Sequence, residues 1–314
     1  LVVYQHTFYF QLSLKPEGTA GVIRSFIENK MYADTQPTKL YYITPCFRYE
    51  RPQAGRQRQF HQFGIEVLGS DGPSVDAEVI SLAVQFFNEM GLKNLSVNIN
   101  SVGCPTCREE YNRKLKEYLD KKVDVLCETC LERKDKNPMR VIDCKNPHCK
   151  ENLQDIPFMI DHLCEDCKDH FDKLQTYLKE MDINYVVDKT IVRGLDYYKK
   201  TAFEIISNDI GSQSTVCGGG RYDGLVEMLG GPKGISGIGF ALGAERLLLT
   251  LENNNIEIEN PKSTDIYIAT IGDAAKTKSF KLIKDLRTNH ISADNDHLDK
   301  SLKAQFKYSD KLNA

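Results

Sequence analysis

The sequence predicts a mixed α+β fold interrupted by a cysteine-rich helical segment, and three observations carry that reading. Between Leu40 and Leu68 the chain reads strand, loop, strand, with side chains alternating between two faces. Elsewhere, as at Val22, Ile23, Phe26 and Ile27, apolar residues recur at helical spacing. Eight of the ten cysteines fall between Cys104 and Cys167, in a chain of 314 residues that has room for two or more domains.

The composition, 41% hydrophobic and 27% charged, is that of a soluble globular protein. No apolar run approaches the ~20 residues that span a bilayer, and no charged-then-apolar leader opens the chain. The expectation is a cytoplasmic protein without a membrane partner. With 41 basic and 44 acidic residues the net charge is −3, so a nucleic acid would be met by a local basic face rather than by the whole-molecule field. The chain starts without Met, in an apolar stretch from Leu1 to Phe10 that needs a partner strand from outside, and it stops at Ala314 just past a helical pattern. Both ends read as cut.

Taken in order, Glu17 and Thr19 sit at a helix start, where a carboxylate and a hydroxyl satisfy free N–H groups; spacing favours that capping role over a ligand contact. In the hairpin, Arg48 and Glu50 share a face of the outgoing strand, and Phe60, Gln62, Gly64 and Glu66 share one of the returning strand. Arg48, Glu50, Gln62 and Glu66 thus form one polar face, which is costly to bury unless paired or liganded. Ser74 opens the next helix as its N-cap and Gly91 ends it, and Leu95 to Ile99 alternates as a strand.

The cysteines read Cys104-x2-Cys107, Cys127-x2-Cys130, Cys144, Cys149 and Cys164-x2-Cys167. The first two pairs, with 19 residues between them, match the knuckle spacing of a four-cysteine zinc site. Cys144, Cys149, Cys164 and Cys167 would make a second, with His148, His162 and His170 as substitutes. Between the ligands, Arg113, Lys114, Lys116, Lys121 and Lys122 form a basic helix.

A helix over 171–181 then leads to the apolar Tyr185-Val186-Val187 and to Val192-Arg193-Gly194-Leu195-Asp196-Tyr197-Tyr198. This pattern predicts a strand with Arg193 at its end and the tyrosines on the turn beyond. The guanidinium fork suits a phosphate or carboxylate. A strand over 201–206 follows. Gly218-Gly219-Gly220-Arg221-Tyr222-Asp223 either lets a ligand touch the backbone or forms a plain turn, and it lacks the Lys-Ser or Lys-Thr of a phosphate loop. Gly237 to Leu249 reads as a strand entering a buried helix in which Arg246 needs an anion. A polar linker over 253–263 precedes a strand over 265–271 and a helix over 274–286.

Leu14-Lys15-Pro16-Glu17-Gly18-Thr19, the Phe47-to-Glu66 hairpin, Arg193-Gly194-Leu195-Asp196-Tyr197-Tyr198, Gly219-Gly220-Arg221-Tyr222-Asp223 and Gly243-Ala244-Glu245-Arg246 together resemble the bacterial type of histidyl-tRNA synthetase. The resemblance implies a class II antiparallel sheet flanked by helices, in two parts (1–102 and 171–255), split by the cysteine-rich insertion (103–170) and followed by the start of an α/β anticodon-binding domain (262–314). It implies ATP-dependent activation of L-histidine and transfer to tRNA(His), by a homodimer in the full-length protein. Carried over by position, Glu17, Thr19 and Gln62 would hold the histidine amino group, and Glu66, Tyr197 and Tyr198 would form the imidazole pocket. Arg48 would meet the α-phosphate, Glu50 the adenine and Arg246 the γ-phosphate. Arg193 would lie between histidine carboxylate and α-phosphate. Gln53, Arg56 and Arg58 would approach the tRNA acceptor end, and Mg2+ would join ATP. A departure from the pattern is Lys15, where arginine is frequent. Two readings compete: a non-catalytic relative serving as regulatory subunit of ATP phosphoribosyltransferase, against which the intact Glu66, Arg193 and Tyr198 speak, and a zinc-stabilised RNA-binding module, which would not explain the paired arginines and carboxylates.

Overall fold

A computed structural model describes all residues except 1, 6, 7, 12, 50, 196, 208–214 and 259–263. The chain divides into two compact units, Leu1–Ile256 and Glu257–Ala314. At the start, β1 (Val2–Gln5) pairs antiparallel with β2 (Phe8–Gln11). The opening stretch therefore supplies its own partner strand, contrary to expectation.

Helix α1 (Thr19–Glu28) turns Ile23 and Phe26 inward. Strands β3 (Thr38–Phe47) and β4 (Gln59–Leu68) pair with Thr44 opposite Gln62 and Leu40 opposite Glu66. Helix α2 (Pro73–Glu89) has Gly72, not Ser74, at its N-cap, because the fixed φ of proline suits the first helical position. Gly91, at φ +85°, follows its end, where a residue without Cβ adopts that conformation freely. After β5 (Leu95–Ser101) the insertion is helical, with α3 (Pro105–Asp120), α4 (Glu128–Lys136) and α5 (Pro147–Asn152), and α6 (Glu165–Glu180) leads back to the sheet.

The return runs through β6 (Val186–Val187), β7 (Lys199–Ser207), β8 (Thr215–Arg221), α7 (Leu225–Met228), β9 (Gly237–Gly243) and α8 (Ala244–Asn253). The seven strands lie in the order β3-β4-β9-β8-β7-β5-β6. All pairings are antiparallel except β5 with β6. Val79, Ile80, Ala83 and Phe87 of α2 and Leu174 and Leu178 of α6 pack with Phe203, Ile205, Ile238 and Phe240 of the sheet. Phe63, Ile65 and Val67 of β4 join that core. The two-residue period therefore turns Gln62, Gly64 and Glu66 to the other face.

Three expectations change. β6 stops at Val187, so Arg193 sits on an irregular segment rather than at a strand end. The glycine triplet lies inside β8, not in a turn: a Cβ on Gly219 would stand 2.3 Å from the Gly239 carbonyl oxygen, so the glycine permits close strand packing. Helix α8 is only half-buried, with Leu251 inside and Leu248 52% exposed. In the second unit, β10 (Ile266–Ile268) pairs parallel with β11 (Ala293–Asn295). The intervening α9 (Gly272–Thr288) provides the crossover that parallel strands require, and α10 (Leu302–Leu312) follows.

Candidate active site and cysteine clusters

A cavity of about 480 Å³ has Glu17, Thr19, Arg48, Gln62, Arg193, Tyr197, Tyr198 and Arg246 among its lining residues. Residues far apart in sequence meet here because α1, the β3–β4 hairpin, β8 and β9 converge on the face of the sheet away from the α2–α6 core. Glu17 does cap α1: its carboxylate accepts from the N–H groups of Thr19 at 2.6 Å and Ala20 at 3.1 Å. It also faces the cavity, so the capping and ligand-facing roles coincide. Gln62 Oε1 accepts from Gly18 N at 2.9 Å.

Arg193 donates to Glu204 Oε1 at 2.9 Å and lies 5.0 Å from the Tyr198 ring centroid. Burial disfavours its charge, but the Tyr198 ring and the Glu204 carboxylate outweigh that and hold its pKa above the ordinary value. A Cβ on Gly218 would stand 2.9 Å from both terminal guanidinium nitrogens, so glycine there makes room for the arginine. Arg246 is compensated differently. Among the described residues it donates to main-chain carbonyls only, Thr215 O at 2.6 Å and Gly55 O at 3.1 and 3.3 Å. Burial, together with nearby Arg48 and Arg56, pushes its pKa below the ordinary value. Arg48 donates Nε to Gln57 O at 2.7 Å and stacks 4.1 Å over the Phe60 ring. Three guanidiniums thus surround a cavity whose wall carries few carboxylates free of other bonds: Glu245 accepts from His61 N and lies 2.9 Å from His61 Nδ1, and Glu204 is engaged by Arg193 and Thr215.

Glu66 lies behind the wall, 1% exposed. The Tyr222 hydroxyl donates to its Oε2, while Glu66 Oε1 and the Tyr42 hydroxyl oxygen are buried without a hydrogen-bond partner. Burial pushes the Glu66 carboxyl up to about 8, against the lowering effect of Tyr222. Gly239 is required beside it, since a Cβ there would meet Glu66 Oε2 at 1.9 Å. Tyr42, Glu204 and Tyr222 escaped the sequence reading. Period two on β3 and β7 would have placed Tyr42 and Glu204 on polar faces, but the glycines of β8, read as a turn, concealed the geometry that brings Tyr222 under the pocket.

Glu50 and Asp196 lie outside the described residues. Gln53 and Arg56 close a tight turn through their main chains at 2.9 and 3.1 Å, Arg58 lies 5.5 Å from the Tyr49 ring centroid, and none of the three lines the cavity. Beneath the sheet, Asp76 is fully buried and engages Arg221, Thr201 and His170, the last at 2.8 Å. His170 is therefore a structural partner of Asp76 rather than a metal-ligand substitute.

The cysteines form two groups of four, but not those the spacing suggests. Cys104 and Cys107 join Cys164 and Cys167, and Cys127 and Cys130 join Cys144 and Cys149. The reason is α3: its 16 residues span about 24 Å and carry the chain away from the first knuckle, while α6 starts where that knuckle lies. Cys104, Cys127 and Cys164 each occupy the N-cap of a helix, where unpaired main-chain N–H groups of the first turn lie close by. Cys164 N donates to Cys107 Sγ at 3.1 Å and Cys127 N to Cys149 Sγ at 3.2 Å. Sulfur pairs stand 3.6 Å apart at Cys104 and Cys107, and 3.8 Å at Cys104 and Cys164 and at Cys127 and Cys144. These distances exclude disulfides, which need ~2.0 Å. They match the ~3.8 Å edge of a tetrahedron of sulfurs at ~2.3 Å from zinc. On the basic helix, Lys114 pairs with Glu110, Arg113 with Glu117 and Lys116 with Asp135, so much of its charge is answered within the insertion.

The model of the family described as histidyl-tRNA synthetase matches residues 9–247. The chain belongs to the histidyl-tRNA synthetase family. It is 79% identical to a histidine–tRNA ligase of Clostridioides difficile over 97% of this chain and 72% of that protein. To a histidine–tRNA ligase of Caldanaerobacter subterraneus it is 56% identical over 96% of this chain and 72% of that protein. The crystal structure of apo histidyl-tRNA synthetase from S. aureus superposes with a TM-score of 0.78 at 42% identity, covering 96% of this chain and 73% of that one. Membership in the family accounts for the seven-stranded, largely antiparallel sheet. No helix among the described residues is long and apolar enough to cross a membrane.

Proposed function

We propose that the cavity joins L-histidine to ATP as histidyl-adenylate and passes the histidyl group to the 3′ end of tRNA(His). The observation that carries this reading is the set of half-buried guanidiniums around one cavity, above all Arg246, which among the described residues has only carbonyl partners, and Arg193, whose Nε is buried without a partner among them. The histidine carboxylate and the ATP phosphates supply the missing counter-charge.

The histidine carboxylate attacks the α-phosphorus of ATP, forming one O–P bond while the bond to pyrophosphate breaks. Two anions must meet, and fixed cations lower that barrier without reorganising. Arg193 serves between carboxylate and α-phosphate, Arg48 at the α-phosphate and Arg246 at the γ-phosphate, with Glu50 on the adenine side. Glu17, Thr19 and Gln62 take the amino group; Glu17 is already oriented by its cap bonds. Glu66, Tyr197 and Tyr198 read the imidazole, whose N–H answers the unpartnered Glu66 oxygen. Magnesium would accompany ATP as the counter-ion of its phosphates. A terminal ribose hydroxyl of the tRNA then attacks the adenylate carbonyl and AMP leaves. Gln53, Arg56 and Arg58 on the hairpin loop meet the acceptor end, and residues 262–314 begin the anticodon-binding domain. Each cysteine group holds one structural zinc. The protein works in the cytoplasm as a homodimer.

The test is ATP–pyrophosphate exchange with each of the twenty amino acids. Exchange that depends on histidine is expected, and absence of histidine-dependent exchange overturns the reading.

A further inference from the structure

Behind the Arg193–Tyr198 segment lies a second, smaller cavity of about 220 Å³, which shares Arg193, Leu195 and Tyr198 with the first. Its opposite wall comes from the insertion: Arg108 and Asn112 of α3, Lys136 at the end of α4, and Arg140. Among the described residues, four cationic side chains and no carboxylate line it, which concentrates a positive potential in a confined space. Arg108 ties the two walls together by donating to Val102 O at 2.9 Å and to Tyr198 O.

Eight buried side-chain polar atoms lack a hydrogen-bond partner among the described residues, and three of them belong to this cavity's lining: Asn112 Oδ1, Arg140 Nε and Arg193 Nε. Buried polar groups are nearly always satisfied, so such a concentration marks a place completed by something else. The unmet set is one acceptor and two cationic donors. Its complement is a group that brings an anion and an N–H together. A nucleotide does so, with its phosphate for the arginines and the exocyclic amine of cytosine or adenine for Asn112.

We infer that this cavity seats the penultimate nucleotide of the RNA whose terminal ribose enters the first cavity. The inference rests on the proposed reaction. The two cavities share Arg193, Leu195 and Tyr198, so a nucleotide seated in the second would adjoin a terminal ribose seated in the first. The cytidine that precedes the terminal adenosine of tRNA presents an amine where uridine presents a carbonyl. Asn112 is therefore a specificity residue, and Lys136 contributes charge.

The experiment compares aminoacylation of tRNA(His) transcripts carrying cytidine or uridine at the penultimate position, by the wild type, Asn112→Ala and Lys136→Ala. Histidine-dependent ATP–pyrophosphate exchange is measured in parallel. In the wild type, the uridine transcript should lose about tenfold or more in kcat/KM. Asn112→Ala should show a comparable loss with the cytidine transcript and little further loss with uridine. Lys136→Ala should raise KM for both transcripts severalfold, and exchange should be unchanged in both variants. Equal use of the two transcripts by the wild type overturns the inference, as does a full uridine penalty retained in Asn112→Ala. A fall in exchange that matches the fall in aminoacylation also overturns it, because the residues would then act on activation. If cytidine or adenosine monophosphate competes with ATP for exchange in the wild type but not in Asn112→Ala, while uridine costs nothing, the site takes a free nucleotide and the RNA assignment fails. Loss of exchange in the wild type itself would instead sink the proposed reaction.

Discussion

The sheet and the insertion are both compact, but they are held together by different chemistry. The core between the sheet and helices α2 and α6 is built of aliphatic and aromatic residues with Cys217 as its one thiol, so burial alone stabilises it. In the insertion, five of thirteen buried core residues are cysteines, and the other three clustered cysteines pack against them. Thiolates at such separations repel one another unless an ion lies between them, and here they pack among apolar side chains such as Tyr111, Leu115, Leu119 and Ile156. The difference sets a scaffold with an apolar core against an insertion whose core holds two four-cysteine groups that could bind metal.

The largest expected effect separates the two regions. Structural zinc contributes on the order of 10 kcal/mol in small domains, so strong chelation should unfold the insertion, with helix signal lost and eight thiols becoming reactive, while the sheet core stays folded. Metal analysis should give two zinc ions per chain. Less than one, with every cysteine freely titratable in the native protein, would remove the contrast.

Within the scaffold with the apolar core, Asp76 is the exception that tests the rule. Its carboxylate compensates Arg221, and both side chains are fully buried. Asp76→Ala should cost about 3–5 kcal/mol of stability in denaturant titrations, as expected when one partner of a buried pair is removed. A cost under ~1 kcal/mol would show that Arg221 finds other compensation in Asp223 and the carbonyls of Ser70 and Gly72, to which it also donates.

A smaller and pH-dependent effect concerns Glu66. Its carboxyl is raised from 4.5 to about 8 by burial, so the folded state binds a proton that the unfolded state releases. The contribution is therefore fully present below pH 4.5 and is lost as pH rises through about 8. Glu66→Gln should gain on the wild type over that window by at most about 1.4 kcal/mol per pH unit, while losing affinity for histidine. Parallel stability profiles for the two proteins would contradict the raised pKa.

Much of the candidate cavity was legible because its residues sit in short motifs: Glu17, Thr19, Gln62, Arg193, Tyr197, Tyr198 and Arg246 line it although up to 229 positions separate them. Period-two alternation located the hairpin's polar face. What escaped depends on distances through space. Helix α3 decides the cysteine pairing by its length, and Tyr222 reaches Glu66 only because glycines in β8 and β9 let the strands approach. His170, a metal candidate by proximity in sequence, is drawn instead to Asp76 on α2.

In the proposed reaction the cavity's cations serve the reacting anions and not the fold. Arg193→Ala tests it most directly, with histidine-dependent ATP–pyrophosphate exchange and histidine affinity measured on the same preparation. Exchange is expected to fall by at least ~10²–10³, with histidine binding changed by far less and the fold retained. Exchange left nearly unaltered, or lost only in proportion to histidine affinity, would contradict the claim.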